Sequence, residues 1–149
     1  MIAPIFTNEK GLFLQPIFFP IAEYSKQKGN KSLSLYTASP TYQTQGHPAV
    51  KALDVSATYR ASDGGLYINV LNRSAKDDVQ ARIENQTGEL NPTAEVWVMD
   101  HPDLKTTHTF GDDKKVRPVT RTAKLELNHG AFDYQFPKHS LTILKIAVK

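Results

Sequence analysis

The sequence predicts a mainly β chain: an antiparallel β-sandwich or jelly roll, preceded by a short segment of α/β character. Three observations carry that expectation. The hydrophobic period drops to two from about residue 33. Short strand-like runs then follow one another, separated by Pro, Gly and Asp-Asp clusters. Little helical periodicity appears after Gly29. The chain has 149 residues, about one ordinary domain, and its 40% hydrophobic and 22% charged residues are globular values.

The opening reads differently from the rest. Ile2-Ala3-Pro4-Ile5-Phe6 is a short apolar run, the pattern of a strand buried on both faces. A polar turn, Thr7 to Gly11, leads to Leu12-Phe13-Leu14-Gln15-Pro16. Pro20 suits a first helical turn, where its missing N–H costs nothing. Phe18, Phe19, Ile21 and Tyr24 give a helical stripe, Lys26 and Lys28 fall in its last turn, and Gly29 caps it. A buried strand needs neighbours on both sides, and the chain supplies none of that type. Residues 1–30 therefore read as the tail end of an α/β domain whose body lies elsewhere.

From there each run is assigned in order. Leu33 and Leu35 alternate with Ser32 and Ser34, and Val55, Ala57 and Tyr59 alternate with polar partners. Asp63-Gly64-Gly65 is a hairpin-type turn. Strands are expected at Leu66–Leu71, Val79–Ile83, Val96–Met99, Leu125–Leu127, Phe132–Phe136 and Leu141–Val148.

Composition excludes several functions. Eighteen Lys+Arg against 15 Asp+Glu leave a net charge of +3, spread along the chain, so no nucleic-acid face is expected. The chain has no cysteine, which removes disulfides, thiol catalysis and cysteine zinc sites, and suits a reducing compartment. The most apolar stretch, Leu12–Ala22, is too short to span a bilayer, and the opening lacks a basic signal-peptide region.

No motif announces chemistry by itself. His47, His101, His108, His129 and His139 show no metal-ligand spacing and read as turn or surface residues. Asp77-Asp78 and Asp112-Asp113 lack the alternating oxygen ligands of a calcium loop and read as solvated turns. Glu9 and Glu23 read as exposed, not as a glycosidase carboxylate pair. No catalytic residue, metal site or cofactor is expected. Sequons occur at Asn30, Asn72 and Asn85. Trp97 is a candidate sugar platform with a sandwich-core role as its alternative. Gln15 is the exception: an amide amid apolar residues needs a hydrogen-bond partner, either a backbone group or a ligand hydroxyl.

The order of several segments resembles the end of the α-L-arabinofuranosidases of glycoside hydrolase family 51. Ala3-Pro4-Ile5 and Gly11-Leu12-Phe13-Leu14-Gln15-Pro16-Ile17-Phe18-Phe19-Pro20 resemble that family's last barrel strand, loop and helix. Ser39-Pro40-Thr41-Tyr42, Leu53–Ala57 and Val70–Ser74 resemble the barrel exit and sandwich strands. Asp103-Leu104, Thr109-Phe110, Val116-Arg117-Pro118 and Phe136–Leu144 continue the likeness. The resemblance implies the last β/α unit of a TIM barrel over residues 1–35 and a C-terminal β-sandwich over residues 36–149. It implies a retaining hydrolase of terminal arabinofuranosides whose two catalytic Glu residues sit on earlier barrel strands, so this chain alone is expected to be inactive.

Gln15 matches the family's sugar-contacting Gln and is the one expected substrate-binding residue. Expected partners are arabinofuranosyl oligosaccharides, the preceding barrel and further copies of the parent in a homo-oligomer, with no membrane. Four positions depart from the pattern: Pro16 for Thr, Phe18-Phe19 for Tyr-Tyr, and His108 for Asn in what is expected to be a sandwich turn. Two alternatives stay open: a stand-alone carbohydrate binder using Trp97, Tyr67 or Tyr134, and a purely structural sandwich.

Overall fold

The computed structural model describes residues 3–149. Two strands, β1 (Ile5–Asn8) and β2 (Gly11–Leu14), form a hairpin, and one helix follows, α1 (Phe18–Ser25). Ten strands come next: β3 (Lys31–Ser32), β4 (Thr41–Tyr42), β5 (Val50–Lys51), β6 (Leu53–Arg60), β7 (Gly65–Asn72), β8 (Val79–Glu84), β9 (Leu90–Met99), β10 (Val119–Lys124), β11 (Ala131–Phe136) and β12 (Ser140–Val148).

Six strands make one antiparallel sheet in the order β10-β9-β12-β7-β6-β3, and β8 and β11 form a second. Ala94 and Val96, Leu144 and Ile146, and Ile68 and Val70 point from the large sheet into the core. Phe132, Phe136 and Val79 meet them from the β8–β11 pair. This is the antiparallel sandwich the alternating pattern predicts. The hairpin turn at Asp63-Gly64-Gly65 falls between β6 and β7, with Gly64 at φ +65°.

The opposite face of the large sheet is also covered. Tyr67, Trp97, Leu141 and Ile143 form a second buried cluster, against which Phe19 of α1 and Met99 pack. That double cover explains why β7 and β12 read as nearly continuous apolar runs.

Several expected elements lie elsewhere. The run Ile2–Phe6 was expected as a strand buried on both faces. Ile2 is outside the described residues; Ile5–Asn8 pairs antiparallel with Gly11–Leu14, and Ile5 is 46% exposed. Among the described residues, β2 is the partner that satisfies this strand's backbone, and Phe6 stacks on Phe13 across the pair. α1 ends at Ser25, and turns closed by the Lys26, Gln27 and Lys28 N–H groups carry the chain on to Gly29, whose φ is +83°. Leu33 and Leu35 are exposed, because β3 ends at Ser32. The expected strand at Leu125–Leu127 is irregular; the strand there is β10, whose Thr120-Arg121-Thr122 pair with β9 at the sheet edge and show no apolar alternation.

All three sequon asparagines are tied into the fold. Asn72 is fully buried, and its amide donates to the Asp77 and Phe136 carbonyls. Asn30 donates to Thr58, and Asn85 to the Thr87 and Gly88 carbonyls.

Candidate functional site

Gln15 directly follows β2 and precedes Pro16, whose ring disfavours helical backbone at the residue before it. Its N–H donates to the Pro4 carbonyl at 2.9 Å, and its carbonyl accepts from the Phe18 N–H at 2.9 Å. Those two bonds fasten the hairpin's exit to the start of α1. Helix α1 has no side-chain cap at Ile17, so this chain of backbone turns organises its beginning.

The Gln15 side chain reaches a segment 93 residues further on. Its Nε2 donates to the His108 carbonyl at 3.0 Å, and its Oε1 accepts from the His108 N–H at 3.1 Å. The amide amid apolar residues has therefore found a backbone partner, in the long connection between β9 and β10. The expected sugar contact would use the bonding capacity left over.

His108 is 1% exposed, so the expectation of a turn or surface histidine fails for it. Its Nε2 accepts from the Val116 N–H at 3.0 Å. That leaves the ring proton on Nδ1, which donates to the Leu14 carbonyl at 2.5 Å. The ring thus bridges the residue before Gln15 and the far side of its own loop.

Aromatic contacts complete the junction. Phe13 is buried and meets Phe110 edge-on at 4.6 Å between ring centres. Phe19 lies near the His108 ring, and the Arg117 guanidinium sits 4.8 Å from the Phe19 ring centre. Arg117 also donates to the Asp113 carbonyl, which keeps the loop's return folded. At the loop's start, Asp103 accepts from the Lys105 N–H and the Thr106 hydroxyl. Those bonds hold the Asp103 carboxyl below its ordinary value, the backbone N–H first.

The remaining candidates sit apart from this junction. Trp97 and Tyr67 are buried beneath α1, at 7% and 5% exposure. Tyr134 packs on Phe136 and accepts from Arg121. Glu23 pairs with Lys26 on α1, and Glu9 lies in the turn between β1 and β2. Asp112 and Asp113 pair with Lys115 and Arg117, as solvated turns do. Asp78 accepts from Gln135 and from the Lys138 N–H. No group of three or more metal-ligating side chains occurs among the described residues. A cleft beside α1 is lined by Pro20, Tyr24, Asp54, Ser56, Asn69, Leu71 and Leu141, and not by Gln15.

Nothing in the sequence pairs His108 with Gln15. The one local signal was the departure at His108 itself: its ring carries two nitrogens at different reaches from the main chain, and here they bond the Leu14 carbonyl and the Val116 N–H.

Comparison with known proteins places this arrangement. The chain is 27% identical over 156 aligned positions to "Alpha-L-arabinofuranosidase C" of Emericella nidulans, covering 97% of this chain and 28% of that protein. It is 31% identical over 109 positions to "Intracellular exo-alpha-(1->5)-L-arabinofuranosidase 1" of Bacillus subtilis, covering 72% of this chain and 22% of that protein. The chain therefore spans less than a third of these relatives' length. Its fold matches the GH51 arabinofuranosidase of Xanthomonas axonopodis pv. citri with a TM-score of 0.85 at 24% identity, over 97% of this chain and 28% of that one. A model of the "Alpha-L-arabinofuranosidase C-terminal domain" matches residues 1–140, nearly the whole chain, and the chain belongs to that family.

Proposed function

We propose that this chain completes a retaining α-L-arabinofuranosidase that removes terminal non-reducing α-L-arabinofuranosyl residues from arabinan or arabinoxylan. The observation that carries this reading is the family match over residues 1–140. In it, residues 1–35 close a (β/α)₈ barrel and residues 36–149 form the sandwich that supports the barrel and its oligomer. The two carboxylates of the double displacement come from earlier barrel strands. One attacks the anomeric carbon; the other protonates the departing oxygen and later activates water.

Gln15 is the residue of this chain that contacts the sugar. In a barrel enzyme the loops after the strands build the site, and Gln15 lies on such a loop in this reading. A carboxamide has two N–H donors and two acceptor lone pairs, and the His108 peptide uses one of each. One donor and one acceptor stay available for a hydroxyl, which itself donates and accepts.

Two measurements test the proposal. Purified 149-residue chain leaves a chromogenic α-L-arabinofuranoside unhydrolysed; turnover by it overturns the assignment of catalysis to earlier strands. In the full-length protein, Gln15→Ala lowers kcat/KM by about 1–3 kcal/mol, the usual cost of a lost buried partner. Unchanged kinetics would return Gln15 to a purely structural role.

A further inference from the structure

The Gln15–His108 pair does more than satisfy two polar groups. A peptide edge presents its N–H and C=O in fixed places. Only one orientation of the Gln15 carboxamide meets both; the flipped amide would set donor against donor and acceptor against acceptor. The uncommitted N–H and lone pair of Gln15 are therefore fixed in place as well.

The His108 peptide needs a support of its own, because it lies in a long connection without regular strand pairing. Its ring supplies that support. Nε2 holds the Val116 N–H, and Nδ1–H holds the Leu14 carbonyl, one residue before Gln15. The ring therefore locks the loop to the main chain that carries the Gln15 side chain. The Phe13–Phe110 and Phe19–Arg117 contacts press the same surfaces together, but they exert no directional hold on an amide.

We propose that His108 is a positioning residue for sugar recognition: its ring on Leu14 and its peptide on Gln15 let a loop of the sandwich set the orientation of the carboxamide towards a sugar hydroxyl. This rests on the reading of Gln15 as the sugar contact. It makes a loop of the sandwich part of the recognition apparatus, through His108 and not through the aromatic residues Trp97, Tyr67 or Tyr134. The ligand class is a furanoside hydroxyl that both donates and accepts.

Two substitutions separate the ring's two bonds. Asn places an amide nitrogen as many bonds from Cα as Nδ1 is, so His108→Asn retains the donor to Leu14 and loses the acceptor for Val116. Gln places an oxygen at the distance of Nε2, so His108→Gln retains the Val116 bond and loses the Leu14 bond.

The experiment measures kcat, KM and the thermal midpoint in the full-length protein for Gln15→Ala, His108→Asn, His108→Gln and the double variant Gln15→Ala/His108→Gln. The expected result for His108→Gln is a fall of about tenfold in kcat and kcat/KM together, with KM little changed, since the lost interaction acts in the transition state. His108→Asn stays within about threefold of the parent. The double variant is no worse than Gln15→Ala by more than about twofold, because one residue acts through the other.

Three results would overturn the proposal: parental kinetics for His108→Gln beside an impaired Gln15→Ala, equal losses in the Asn and Gln variants, or losses that multiply in the double variant. Parental kinetics for Gln15→Ala would instead remove the sugar-contact reading, and the positioning role with it.

Discussion

The carboxamides of Gln27 and Asn69 face each other and exchange two hydrogen bonds. Gln27 Nε2 donates to Asn69 Oδ1 at 2.7 Å, and Asn69 Nδ2 donates to Gln27 Oε1 at 3.1 Å. Both are buried, at 8% and 2% exposure, and Thr58 donates a further bond to Gln27 Oε1. Gln27 follows α1, and Asn69 is central in β7. The pair locks the segment after the helix onto the face of the large sheet that bears Tyr67 and Trp97. Arg60 extends the lock by donating to the Lys26 carbonyl and to Asn30.

Removing one member of that pair leaves a buried polar atom of the other without its partner: Asn69 Oδ1 in one case, Gln27 Nε2 in the other. Gln27→Leu should cost about 1–3 kcal/mol of unfolding free energy, as should Asn69→Leu alone. The double Leu variant should lie closer to the parent than the two losses added together, because no orphaned amide remains. Urea titrations of the four proteins, compared at equal m-value, check this. Simple additivity would refute the coupling.

The core should respond more strongly than the surface. Phe132 is 1% exposed between the two sheets, so Phe132→Ala should destabilise by about 3–5 kcal/mol. Leu12 is 63% exposed, and Leu12→Ala should stay within about 0.5 kcal/mol. Denaturation midpoints distinguish them. Similar losses would deny the sandwich core its dominant role.

Gly64 should resist substitution. Its φ of +65° is the left-handed region, and an added Cβ would lie 2.7 Å from the Val148 carbonyl oxygen. The adjacent Gly64 carbonyl accepts from the Val148 N–H, so relief by backbone movement would loosen the end of β12. Gly64→Ala is expected to cost at least about 1 kcal/mol, read as a lowered thermal midpoint.

Alkaline pH should weaken the fold through two phenols. Burial raises Tyr24, and the nearby Asp54 carboxylate adds to the effect. Burial raises Tyr134 too, against the opposing pull of Arg121. The folded chain then holds these protons longer than the unfolded chain does. Stability is full below the ordinary value of 10.0 and falls as pH rises through the raised values. Thermal melts between pH 8 and 11 should show that decline, and Tyr24→Phe should flatten it. An unchanged slope in that variant would remove Tyr24 from the account.

Legibility tracked the kind of force at work. Strands β6, β7, β8, β11 and β12 were readable because burial imposes a period of two or a continuous apolar run. β10 was not, because an edge strand of Thr and Arg is held by backbone bonds to β9, which leave no mark on side-chain polarity. The β1–β2 hairpin was missed for a related reason: Ile5 and Leu12 are exposed while Phe13 is buried, and the apolar pattern also fits a buried parallel strand.

Gln15 stood out in the sequence as an amide in apolar surroundings. Its partner did not, since a peptide group 93 residues away carries no residue-type signal. Trp97 was read as a sugar platform or a sandwich-core residue; it is buried on the face of β9 opposite Val96, in the cluster against which Phe19 of α1 packs.

The sequence by itself determined the sandwich, its family and the one amide in need of a partner, because hydrophobic alternation and unsatisfied polarity are properties of residues. Only the tertiary structure decided that His108 supplies that partner and that α1 seals the second face of the large sheet. Both depend on chain reversals that bring distant backbone groups within hydrogen-bonding distance, and local patterns do not encode such distances.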